Sequence, residues 1–133
     1  MADTVSNRTT ENTARRLSVV SRILADGTGS TDAVLVDKST FTGPDGTEPG
    51  RLVIEEIEYD VDGMQVQLEF DHDTDDLIAT LAGQGKIDFT NGGRSQGFVD
   101  PASTGGTGDI VATTVGHTAG DKATIKFKLR KKD

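Results

Sequence analysis

Arg51–His72 reads RLVIEEIEYDVDGMQVQLEFDH, and the period of its apolar residues decides the fold class. Met64, Val66, Leu68 and Phe70 alternate with Gln65, Gln67 and Glu69. Successive side chains of an extended strand point to opposite faces, so this run offers one face to a core and the other to water. Leu52 and Ile54 alternate in the same manner, but Ile57 and Tyr59 are out of phase with them, which predicts a β-bulge at Glu55 and Glu56. Asp62-Gly63 separates the two runs and tolerates positive φ, so the pattern predicts a hairpin with strands at 51–61 and 64–72.

Working outward, Lys122–Lys132 shows the same period, with Ile125, Phe127 and Leu129 alternating against Thr124, Lys126, Lys128 and Arg130. It reads as a half-buried strand with a basic outer face. Further strands are expected at 33–36, 84–90 and 109–115. Residues 15–24 fit a helical stripe through Leu17, Val20 and Leu24 or a partly buried strand through Val19, Val20 and Ile23, of which the strand is preferred, and Leu77–Leu81 fits either a strand or one helical turn capped by Asp73 or Thr74. Residues 91–107, NGGRSQGFVDPASTGGT, form a long Gly-rich loop whose Phe98 and Val99 tuck back onto the core. Residues 52–85 carry ten acids and no Lys or Arg, whereas 122–132 carries six bases, so the basic strand is expected beside an acidic one.

Composition agrees with an all-β fold. Val, Ile and Thr number 36 of 133 residues, and β-branched side chains suit a pleated surface better than a helix. The length fits a single domain. Seven or eight short strands between turn signals predict a β-sandwich or jelly-roll-like domain over residues 15–133. Residues 1–14 hold only Met1, Ala2, Val5 and Ala14 as apolar groups, and are expected to be a flexible N-terminal arm.

The chemistry-bearing patterns are sparse. There is no Cys, so disulfides and thiolate sites are excluded. Gly93-Arg94-Ser95-Gln96-Gly97 matches the spacing of a nucleophile elbow, but Phe98-Val99-Asp100-Pro101 follows where that motif needs a helix. Asp71, Asp73, Asp75 and Asp76 resemble an oxygen shell for a hard cation, yet lack the Gly and Glu of an EF-hand loop, and are expected to be a solvated turn. His72 and His117 are the two histidines, both expected at the surface. Gly105-Gly106-Thr107-Gly108 lacks the Lys of a phosphate loop, and Asn7-Arg8-Thr9 is a sequon without an apolar leader before it. Net charge −8, one Tyr and no Trp disfavour nucleic acid binding, and no apolar run suits a bilayer. Neither an enzyme nor a cofactor or metal protein is expected.

Three stretches carry a resemblance to a family: Asp37-Lys38-Ser39-Thr40 before the Pro-Asp-Gly turn, Gly105-Gly106-Thr107-Gly108-Asp109, and the closing Leu129-Arg130-Lys131-Lys132. From Ala25 onward the chain resembles small virion proteins of tailed bacteriophages. The resemblance implies a structural protein made in the host cytoplasm and carried on the virion, of the capsid decoration or cement type. It would be seated on the major capsid protein as a dimer or trimer, without catalytic residues. On that expectation the N-terminal arm, with Arg8, Arg15 and Arg16, supplies the capsid contacts. An adhesion or fibre-associated component is the alternative, though such modules stack sugars on exposed aromatics, and this chain has few.

Overall fold

The computed structural model describes residues 4–25, 33–43, 46–72, 74–92, 97–101, 107–116 and 118–132. Among them the chain forms eight strands: β1 (Thr4–Asn12), β2 (Arg16–Leu24), β3 (Ala33–Val36), β4 (Arg51–Phe70), β5 (Asp76–Asp88), β6 (Phe98–Val99), β7 (Ile110–Val115) and β8 (Lys122–Lys132). One 3₁₀ turn, Lys38–Thr40, is capped by the Asp37 side chain. The all-β expectation holds. The strands make one antiparallel sheet in the order β1-β2-β8-β4-β7-β3, with β5 and β6 on the other edge of β4.

The 20-residue β4 organises this sheet. Held straight at ~3.3 Å per residue it would span roughly 65 Å, whereas a chain of this size packs into a body about 36 Å across. The strand must therefore bend, and it does so at Asp62-Gly63. The expected hairpin turn at that dipeptide is not formed: residues 51–70 are one strand, and the reversal falls at 71–75, before β5. Gly63 has φ 83°, so the positive φ that suits a tight turn serves a corner instead. Opposite the corner, pairing jumps from Val61↔Gly83 to Val66↔Leu81, with Gly83 also at positive φ, 70°.

At the corner β4 changes partner. Residues Arg51–Asp62 pair with β8, ending at Asp62↔Lys122, and Gln65–Phe70 pair with β7, starting at Gln65↔Val115. The 116–121 connection bridges the step. Asp121 accepts from Thr118 N–H (2.7 Å) and gives its backbone carbonyl to Ala25 N–H (2.8 Å), while its carboxylate occupies the space where a Cβ on Gly63 would stand.

The bend turns the two halves of the sheet onto one core. Leu17, Val19 and Ile23 of β2, Leu35 of β3, Ile54, Ile57, Leu68 and Phe70 of β4, Leu81 of β5, Ile110 of β7, and Ile125 and Phe127 of β8 are all buried in a single cluster. The alternation in β4 and β8 is the one read from the sequence, and the bulge lies between Ile54 and Glu56. Leu77–Leu81 and residues 84–88 belong to the single strand β5. Phe98 tucks back as expected, 5.9 Å from Phe70 and 5.4 Å from Phe89 between ring centroids.

The acidic and basic strands lie side by side. Glu56, Glu58 and Asp62 of β4 face Lys128, Lys126 and Lys122 of β8, and Lys86 of β5 reaches Glu56 from the other side at 3.6 Å. This exposed ladder sets which strands are neighbours more than it adds stability.

Residues 4–12 are not a free arm. They form β1, an edge strand paired with β2 from Thr4↔Leu24 to Asn12↔Leu17. Its side chains from Ser6 to Asn12 are exposed, which is why apolar counting finds no element there, and backbone pairing holds it instead. Val5 packs on the core, and Asn7 Nδ2 donates to the Val34 carbonyl of β3 at 3.1 Å, so the two ends of the sheet approach and the body is nearly a closed barrel.

Replacing Gly63 by Ala puts a side chain at positive φ against the Asp121 carboxylate. The variant is expected to lose about 2–4 kcal/mol, while Asp62→Ala, at an exposed position, stays within about 0.5 kcal/mol of the parent. Urea denaturation of the two variants measures the difference.

Candidate functional site

Three regions of the described structure carry polar chemistry, and the first is the N-terminal edge. β1 pairs as a strand with β2 alone. On its other side Asn7 reaches the Val34 carbonyl of β3, so its outer edge is covered in part and the remainder has no strand partner among the described residues. Of the expected contact residues, Arg8 lies on β1 opposite Val20, and Arg15 lies in the β1–β2 turn; both side chains are exposed. Arg16 is engaged within the fold, its guanidinium 3.2 Å from Glu55 Oε1. The structure thus places Arg8 midway along β1 and Arg15 in the turn at its end, and directs Arg16 onto β4.

This edge is anchored by a buried lysine, Lys131, counted from sequence among the six bases of the last strand without being assigned to a face. Lys131 is 2% exposed. Its ammonium donates to Asn12 Oδ1, to the Thr13 carbonyl (2.6 Å) and to the Thr42 carbonyl (2.8 Å), and lies 5.8 Å from the centre of the Phe41 ring. Burial holds this amine below its ordinary 10.5. Lys131 extends the odd-numbered alternation Ile125, Phe127, Leu129 by one step, which carries it inward, whereas Lys126 and Lys128 fall on the outer face.

The second region lies where the β4–β5 turn meets the residues flanking β6 and β7. His72, expected at the surface, is buried at 8% exposure. It extends the even-numbered alternation Met64, Val66, Leu68, Phe70 by one step, so the strand period carries it inward. Its Nε2 lies 2.7 Å from Asp100 Oδ1 and 3.7 Å from Asp76 Oδ2. Gly108, at φ 74°, approaches so closely that a Cβ there would meet Asp100 Oδ2 at 3.0 Å and the Lys38 side chain at 3.2 Å. The expectation of a single solvated aspartate turn at 71–76 is corrected. Asp71 accepts from Thr107 Oγ1 (2.9 Å), Asp75 accepts from the His72 backbone N–H (3.1 Å), and Asp76 faces the imidazole. Asp73 lies outside the described residues.

Lys38 and Asp109 flank this cluster. The Lys38 ammonium donates to the Pro49 carbonyl at 2.9 Å and lies 3.5 Å from Glu48, and its backbone N–H donates to Asp109 Oδ1 at 2.8 Å. Asp109 is 7% exposed, and burial raises its carboxyl above the ordinary 3.8 against the opposing pull of the Lys38 and Thr107 hydrogen bonds.

The third region is a groove of about 680 Å³ on the outer face, lined by Glu58, Asp60, Gln84, Lys86, Thr124 and Lys126. Its acids and lysines alternate across strands, so it presents no field of one sign. His117 and residues 93–96, including Ser95 of the elbow-like motif, lie outside the described residues, as do Gly105 and Gly106. No helix among the described residues is long and apolar enough to cross a membrane.

The Asp109 environment predicts a pH signature. Its raised pKa means that the folded protein takes up this proton at a higher pH than the unfolded chain, whose value is near 3.8. The cost of burying the charge is absent below 3.8 and complete above the folded pKa, so this group lowers stability as pH rises through that window. Asp109→Asn keeps the acceptor for Lys38 N–H and removes the titration. The stability difference between parent and variant should shift in the variant's favour as pH rises from about 3 to 6, which parallel thermal melts measure.

In comparison with known proteins, the chain matches no family model and no curated sequence.

Proposed function

We propose that this chain is a virion structural protein of a tailed bacteriophage, of the capsid decoration type, which docks on the major capsid protein and reinforces the head. The observation that carries the reading is the outer edge of β1, a nine-residue strand with exposed polar side chains from Ser6 to Asn12, which has β2 as its strand partner and is met by β3 at Asn7, leaving the rest of the edge unpaired among the described residues. Such an edge can extend the sheet of a neighbouring subunit, with main-chain hydrogen bonds supplying affinity. A second copy of the chain or a capsid subunit would meet the same edge, with Arg8 midway along it and Arg15 in the turn beyond it as charge contacts.

The rest of the molecule suits a passive, load-sharing role. A near-barrel with a continuous apolar core needs no partner to hold its shape, while the polar, acidic surface keeps the free subunit soluble before assembly. Lys131 fixes the start of β2 and the end of β1, so the edge is presented at a set angle before it meets a partner.

Co-sedimentation with heads purified from the phage that carries the gene tests this. The parent chain should saturate the heads at a fixed ratio to the major capsid protein, and Arg8→Glu/Arg15→Glu should weaken occupancy by about tenfold or more, as for loss of two interfacial charges. Failure of the parent chain to bind heads, together with its absence from purified virions by mass spectrometry, contradicts the proposal.

A further inference from the structure

We propose that His72, Asp76 and Asp100 form a site for one divalent transition-metal ion of the zinc class, which ties the β4–β5 turn to the segment that follows β6. Each residue offers one donor atom, and the three atoms lie within 4.8 Å of one another. His72 Nε2 stands 2.7 Å from Asp100 Oδ1 and 3.7 Å from Asp76 Oδ2. Donors bound at about 2.0–2.2 Å from a zinc ion stand about 2.8–3.6 Å apart, the lower part of that range for cis octahedral and the upper for tetrahedral arrangement. The observed separations bracket that range, so a cation enters by small side-chain adjustments and without a change of fold.

The chemistry of the donors selects the ion. One imidazole with two carboxylates suits zinc, manganese or iron, whereas calcium and magnesium take oxygen shells. The His72 and Asp100 side chains are 6% and 3% exposed, so two carboxylates converge on one nitrogen in a poorly hydrated place, where a dication offsets their mutual repulsion. Asp76, at 26% side-chain exposure, leaves the solvent side open for water to complete the shell. On binding, the metal takes the Nε2 lone pair of the neutral imidazole, whose single N–H proton then sits on Nδ1 after exchange through water, and the His72–Asp100 contact becomes two metal–ligand bonds.

The placement gives the ion a purpose. His72 and Asp76 sit at the hairpin end, and Asp100 follows β6, whose Phe98 packs on Phe70 and Phe89. A chain without cysteine has no disulfide to join such segments, and a bound metal is the alternative staple. Gly108 closes over the cluster from the segment before β7, where a Cβ would meet Asp100 Oδ2 at 3.0 Å and His72 Cε1 at 3.9 Å.

The test uses the full chain, stripped with chelator and titrated with ZnCl2 or CoCl2. Saturable binding of one equivalent, a visible cobalt band that zinc bleaches, and a thermal midpoint raised by about 5–10 °C at a hundredfold excess over Kd are expected. Asp76→Asn, on the solvent side, should weaken zinc binding by at least about tenfold, and His72→Gln should abolish the cobalt band, while His117→Gln leaves both unchanged. Absence of the cobalt band in the parent chain, an affinity left within about twofold by Asp76→Asn, or an equal thermal response to CaCl2 overturns the proposal. Asp76→Asn decides the matter if His72→Gln does not fold.

Discussion

The bend in β4 at Asp62-Gly63 is the constraint on which the architecture depends. A 20-residue strand cannot stay straight inside a domain of this size, and one corner lets it serve two sheets' worth of partners. Before the corner it pairs with β8, and after it with β7. Because β7 and β8 are consecutive, their 116–121 connection must follow the same corner, and Asp121 packs where Gly63 has no side chain. With β8 placed, β2 and β1 follow on one side, and with β7 placed, β3 follows on the other; the Asn7 to Val34 hydrogen bond then draws the two margins together. The core is a consequence of this folding-over, since neither half of the sheet could bury its apolar face alone.

Polar groups enter the interior at two places where this path leaves loops over the core. At one, Lys131 finds three oxygen acceptors from the β1–β2 turn and the residues after the 3₁₀ turn, which fixes the N-terminal edge without a carboxylate partner. At the other, His72, Asp76 and Asp100 gather under Gly108. Both clusters join segments far apart in the chain, the role that cysteine pairs fill in other small domains. The proposed docking edge and the proposed metal site are therefore separate devices. The first faces outward along β1, and the second ties the turn after β4 to Asp100, whose backbone N–H donates to the Leu52 carbonyl near the start of β4.

Strand periodicity made much of this legible. Lys122–Lys132 and Met64–Phe70 alternate as half-buried strands must, and the phase slip at Glu55–Glu56 marks the bulge. The Asp62-Gly63 dipeptide misleads because positive φ is equally the need of a hairpin turn and of a corner, and only the length of strand on either side and the tertiary partner distinguish them. β1 is invisible to apolar counting because a polar edge strand is held by its backbone ladder. His72 lay within reach, since it continues the Met64–Phe70 alternation, but Asp100 and Gly108 come to it from about 30 residues downstream, and no local pattern announces that approach.

The most direct test of the account is the cross-strand pattern of amide nuclear Overhauser effects in the folded chain. A continuous, bent β4 places Gln67 between Thr80 and Thr113, and Glu58 between Lys86 and Lys126, so contacts linking these pairs are expected. A hairpin turning at Asp62-Gly63 would instead place Tyr59 opposite Val66 and Ile57 opposite Leu68. Observation of those contacts would contradict the corner and the fold built on it.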